Sequence, residues 1–141
     1  MARTLERLAV ARRALATLES LLAEDAPAVP DSTIVRDAAI QRFEYTFEAA
    51  WKTAQQYLRD VEGLEVASPR STVRASFQVG VLGKTETKRA LAMVDDRNLS
   101  VHTCNEALAE TIFSRLTGHA EVMAAWLDAL EQGTNQLLGE A

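Results

Sequence analysis

Six residues that could do chemistry crowd one short stretch: Arg97, Asn98, Ser100, His102, Thr103 and Asn105. Arginine offers a planar fork of N–H donors that fits a phosphate. Histidine exchanges a proton near neutral pH. Gripping a phosphate and moving the proton of a 2′-hydroxyl or a leaving oxygen are the two operations needed to cleave RNA without a metal. The stretch reads either as a catalytic pair, Arg97 and His102, or as a capping junction between helices. Geometry constrains the first reading. Residues five apart on an unbroken helix diverge by about 140° around its axis. Arg97 and His102 then meet on one substrate only if the helix breaks between them, or if two copies of the segment face each other. Asn98 and Ser100 are the expected break residues, because their side chains compete for backbone hydrogen bonds.

Other chemistries find little support. Gly80-Val81-Leu82-Gly83-Lys84 lacks the spacing and the following Ser/Thr of a phosphate-binding loop. Two histidines and one cysteine cannot make a structural zinc site from one chain. Glu44 and Glu48 lie one turn apart, but no Glu-x-x-His motif accompanies them, so they read as a solvated face rather than a metal site. His119, after Gly118, reads as a packed or capping histidine. Neither a metal nor a cofactor is expected.

The rest of the chain must position that stretch. Its 141 residues suit a single domain, 1–141, long enough to bury a core without staples. Apolar residues are 48% and charged residues 25%, an ordinary globular balance. A single cysteine, Cys104, excludes an internal disulfide and fits a reducing cytoplasm. No apolar run approaches the ~20 residues that span a bilayer. The net charge of −5 argues against a surface that coats nucleic acid everywhere. From Ser68 to Arg89, however, Arg70, Arg74, Lys84, Lys88 and Arg89 face Glu86 alone. This patch leads toward Arg97. It reads as a solvated helix face or as a phosphate-attracting surface. On the second reading Arg70, Arg74, Lys88 and Arg89 are the candidate substrate-binding residues.

Helical periodicity runs through the chain, and no convincing strand interrupts it. Leu5, Leu8, Leu15, Leu18 and Leu22 form one stripe of a first helix, about Thr4 to Glu24. Pro27 and Pro30 end it, so residues 1–30 comprise that helix and a proline-containing linker. Asp31 and Ser32 are N-cap candidates for a second helix of about thirty residues. Ile40, Phe43, Phe47, Trp51, Ala54, Leu58 and Val61 make its inner face, with Trp51 expected to be buried. Arg36, Asp37, Glu44, Glu48 and Lys52 fall on the other face. Gly63 is a plausible C-cap. Ser68-Pro69 opens a third helix, with Val73, Phe77 and Val81 inward. A fourth starts near Thr85 and weakens around Asn98. A last stretch starts near Thr103 or Asn105, is kinked at Thr117-Gly118, and frays over 133–141. The expected fold is all-α, an up-and-down bundle of four or five helices.

Arg97-Asn98 followed by His102 resembles the Arg-polar-x-x-x-His signature of the HEPN superfamily. The longer match is to the nucleotidyltransferase substrate-binding protein family within it. Its long helix is similar to Arg36–Leu58, its SPR element to Ser68-Pro69-Arg70, and its RN…HTxNE element to Arg97-Asn98 with His102–Glu106. The resemblance covers about Leu5 to Leu130. It implies a homodimer related to HepT toxins and partnered by a minimal nucleotidyltransferase. Two departures stand out. Cys104 occupies a position where members often carry tyrosine, a site of nucleotide transfer by the partner in some pairs, so that route of regulation is not expected here. Ala90 stands where a tryptophan is common.

Two functions follow as expectations. One is a metal-independent endoribonuclease toxin acting on RNA, with Arg97 binding the scissile phosphate, His102 as general acid or base, and Asn98 orienting one of them. The other is a non-catalytic partner that presents substrate to, or masks, a separate nucleotidyltransferase.

Overall fold

The structure is a computed structural model that describes residues 1–23, 32–102 and 105–140. It comprises α1 (Ala2–Leu22), α2 (Ser32–Glu62), α3 (Pro69–Gln78), α4 (Lys84–His102), α5 (Glu106–Phe113) and α6 (Leu116–Glu140). Among the described residues there is no strand, and no helix long and apolar enough to cross a membrane. The expected N-cap Asp31 and the Pro27–Pro30 linker lie outside the described residues, as do Thr103 and Cys104.

Helix α2 is the spine. Its inward residues Phe43, Phe47, Ala50, Ala54 and Leu58 are fully buried, and Trp51 is 8% exposed. Burying each large apolar side chain contributes roughly 1.5–3 kcal/mol. Helix α1 packs antiparallel along α2: Thr4 Oγ1 donates to Asp60 Oδ2 at one end (2.7 Å), and the Thr17 and Tyr45 hydroxyls meet at the other (2.9 Å). Helix α6 closes the far side with Met123, Trp126, Leu127 and Leu130. Gly63 ends α2 at φ +67°, a conformation that favours glycine, and Ser68 caps α3 through a capping box with Ser71.

Several local expectations need correction. Leu5 is 39% exposed, because Thr4 rather than Leu5 continues the stripe of Leu8, Ala11, Leu15 and Leu18. Phe77 is 47% exposed. The inner face of α3 is Thr72, Val73 and Ser76, and Phe77 lies one 100° step beyond it. Ser76 Oγ accepts from Trp126 Nε1 there, at 3.2 Å.

The last stretch is two helices. The chain breaks at Ser114 and Arg115, where Ser114 Oγ donates back to Thr111 O (2.6 Å), and Gly118 sits inside α6 without breaking it. Nor does the C-terminal segment unwind at Gly133: α6 continues to Glu140. Thr134 is buried and donates to Leu130 O, and Gly133 lies against the Tyr57 ring.

Candidate functional site

The junction is held by a ladder between two antiparallel helix segments. Glu44 and Glu48 share one face of α2, four residues apart, and Arg97 and Ser100 share one face of α4, three apart. Arg97 NH2 lies 3.2 Å from Glu48 Oε2, and Ser100 Oγ donates to Glu44 Oε2 at 2.7 Å. Glu44 and Glu48 are therefore more than a solvated face; they anchor α4 to α2. No metal-ligating cluster occurs among the described residues.

Glu48 is the hub of this contact. Its Oε2 also accepts from Trp51 Nε1 at 2.9 Å, and its Oε1 lies 3.2 Å from Lys52 Nζ. Partial burial works against its charge. The hydrogen bonds from Trp51 and Lys52, with the attraction of Lys52 and Arg97, outweigh that and hold its pKa below the ordinary glutamate value. The Arg97 guanidinium, so held, also lies over the Phe47 ring, 5.7 Å from its centroid. Asn98 Oδ1 accepts from Arg97 NH1 at 3.2 Å. Arg97 retains further N–H donors, since a guanidinium carries five.

Helix α4 does not break at Asn98 or Ser100. Ser100 Oγ returns to Arg97 O at 3.0 Å within the helix, and the helix runs on to His102. Arg97 and His102 therefore leave one rod about 140° apart. His102 is exposed at its end. Asn105 belongs to neither group: its Oδ1 caps α5 by accepting from Leu108 N at 3.1 Å.

The basic patch is partly neutralised. Arg70 pairs with Asp95, and Arg89 donates to Gly118 O (3.0 Å) and Glu121 (3.2 Å). Arg74 and Lys88 are exposed.

Two polar clusters, each centred on a buried charged residue, escaped the sequence reading. Asp96, adjacent to Arg97, is 2% exposed; its Oδ2 meets His119 Nε2 at 2.7 Å and its Oδ1 meets Arg115 NH1 at 2.8 Å. His119 also stacks on Phe43, ring centroids 5.3 Å apart, so it is indeed a packed histidine. Arg36, read as part of the solvated face, is 3% exposed and reaches Asp37, Glu106 and Glu110, tying α2 to α5. The sole sequence signal for either cluster was a charge beside the junction or at a helix start.

Among the described residues six helices form the bundle, with the Arg97-Asn98 pair braced near the end of α4 and His102 at its tip. The family model described as nucleotidyltransferase substrate binding protein like matches residues 6–132, and the chain belongs to that family. A crystal structure of a Thermus thermophilus protein is 54% identical with a TM-score of 0.75, covering 85% of this chain and 98% of its own. A tri-AMPylated Shewanella oneidensis HEPN toxin in complex with an MNT antitoxin shares the fold at 18% identity and a TM-score of 0.73, over 92% of this chain and 96% of its own. A mutant form of the toxin–antitoxin MntA-HpeT does so at 17% identity and a TM-score of 0.75, over 94% and 99%. No curated protein matches the chain.

Proposed function

We propose that this chain is the toxin of a HEPN-type toxin–antitoxin pair. It acts in the cytoplasm as a homodimeric, metal-independent endoribonuclease and is paired with a minimal nucleotidyltransferase. The observation that carries the reading is the divergence of Arg97 and His102 on one continuous helix. A braced phosphate fork and an exposed proton carrier are both present, and a second copy of α4 is needed to bring one of each to the same phosphodiester. Arg97, oriented by Asn98, grips the non-bridging oxygens. His102 takes the 2′-hydroxyl proton as that oxygen attacks phosphorus, or gives a proton to the departing 5′-oxygen. Arg74 and Lys88 offer further phosphate contacts, with Arg70 and Arg89 available where RNA displaces their carboxylate partners.

The test is cleavage of RNA by the purified chain in EDTA, beside His102→Ala. Cleavage should persist without divalent metal and fall by about 10²–10⁴-fold in the variant. A folded His102→Ala form with wild-type cleavage overturns the assignment. The Arg97–Glu48 pair favours one alternative, since it already compensates the arginine charge. Under that reading the chain is a non-catalytic partner subunit and cleaves nothing.

A further inference from the structure

Two grooves flank the α2–α4 ladder, and their charges differ. One, of about 360 Å³ on the α5 side, is lined by the carboxylates of Asp37, Glu44 and Glu106, with Arg36 already committed to three acidic partners. A phosphate is repelled there. The other, of about 410 Å³, lies between α1 and α2 and is lined by Arg3, Glu6, Arg7, Val10, Glu48, Ala49 and Lys52. Its Arg7 Nε is buried and has no hydrogen-bond partner. A buried donor left unmade is costly, so the Arg7 side chain is not locked in place by a partner of its own. Neither Arg3 nor Arg7 has a hydrogen bond or ion pair among the described residues. They repeat at i and i+4 on α1, so both project along one side of it.

Glu48 joins this groove to the site. It lines the groove while its carboxylate holds Lys52 and Arg97. Arg3, Arg7 and Lys52 thus line the groove against two carboxylates, Glu6 and Glu48, and Glu48 links it to Arg97.

We propose that the α1–α2 groove is a phosphate subsite that carries the backbone of single-stranded RNA to Arg97, with Arg3 and Arg7 as its binding residues. The inference rests on the RNA reading of the Arg97–His102 site, yet it is tested by binding rather than cleavage. The probe is a fluorescent 2′-O-methyl single-stranded RNA, which lacks the attacking hydroxyl, titrated with the full chain over a range of salt. R3Q/R7Q should bind it about tenfold more weakly, the loss expected for charge-assisted contacts. The slope of log affinity against log salt should shrink by about 0.7 for each phosphate that is no longer neutralised. A charge-matched control, R12Q/R59Q, removes two arginines paired elsewhere with Asp128 and Glu65 and should bind as the parent does. Equal binding by R3Q/R7Q and the parent, with the variant folded, overturns the proposal. So does saturation of the groove by ATP or poly-glutamate, with the same dependence on Arg3 and Arg7, when the RNA does not bind. If His102→Ala still cleaves RNA while R3Q/R7Q weakens binding, the catalytic assignment fails and the groove stands.

Discussion

Asp96 and His119 meet in the core at 2.7 Å, Oδ2 to Nε2, one residue before Arg97 on α4. Their contact pins α4 to α6, while Arg97 on the neighbouring position pins α4 to α2. The Arg97–His102 stretch is thus clamped from two sides by residues outside it. Asp96→Ala leaves the buried His119 ring nitrogen without its partner. It should cost about 1–3 kcal/mol in urea unfolding, the penalty of an unsatisfied buried group. A loss below about 0.5 kcal/mol would mean the pair contributes no more than a surface contact.

The ladder should make stability depend on pH through Glu48. Its folded-state pKa lies below its ordinary value of 4.5, although burial alone would raise it, because Trp51, Lys52 and Arg97 favour the charged form. A depressed carboxylate contributes stability that is complete above the ordinary value and is lost as pH falls through the folded one. Glu48→Gln should therefore destabilise by about 0.5–1 kcal/mol at pH 7, as for partly exposed ion pairs. Acid titrations of the two forms should converge below the folded value. Parallel curves down to low pH would show that Glu48 is not the titrating partner.

Gly133 gives a steric test of the α2–α6 contact. A Cβ built there would lie 2.1 Å from Tyr57 Oη and 2.9 Å from Cζ. Tyr57 is 5% exposed, so its ring has little room to retreat. Gly133→Ala should lower stability by about 1–3 kcal/mol, the usual cost of overpacking, despite alanine's better helix propensity. Adding Tyr57→Phe should recover part of the loss, since it removes the oxygen and leaves the ring. A stabilised Gly133→Ala would show that α6 is free to shift away from α2.

How much of this was legible in the sequence follows from the range of each interaction. The long apolar period of Phe43, Phe47, Trp51 and Leu58 announced α2, and Ser68-Pro69 announced the start of α3, because both signals are local. The end of α5 was not legible, since Ser114 turns the chain with its own hydroxyl while the apolar period continues past it. Glu48 and Arg97 are 49 residues apart, and Asp96 and His119 are 23 apart. Nothing in the local pattern says which charged residue on a mostly polar face will find a partner on another helix. Arg36 was misplaced for the same reason. The residue types of the site were visible, but not that its helix stays whole through Ser100, which decides whether one chain can assemble the pair.

That unbroken helix leads to the most discriminating prediction. If each working site takes Arg97 from one copy and His102 from the other, the dimer contains two sites related by a two-fold axis. Arg97→Ala and His102→Ala homodimers should each lose about 10²–10⁴-fold in RNA cleavage, because every site lacks one group. Mixing the two variants and letting subunits exchange should restore activity. Half of the dimers would then be mixed, and each mixed dimer holds one intact site and one doubly defective site. Recovery should approach about a quarter of the wild-type rate at equal amounts, given random exchange in a two-fold dimer. A pair built within one chain gives a different outcome, since neither variant then supplies an intact site and mixing restores nothing. Arg97→Lys in place of alanine should rescue only partly in either format, because lysine keeps the charge and loses the bidentate fork. Sedimentation equilibrium of each variant and of the mixture should show about twice the chain mass. A folded wild-type monomer that still cleaves RNA would end the composite-site reading.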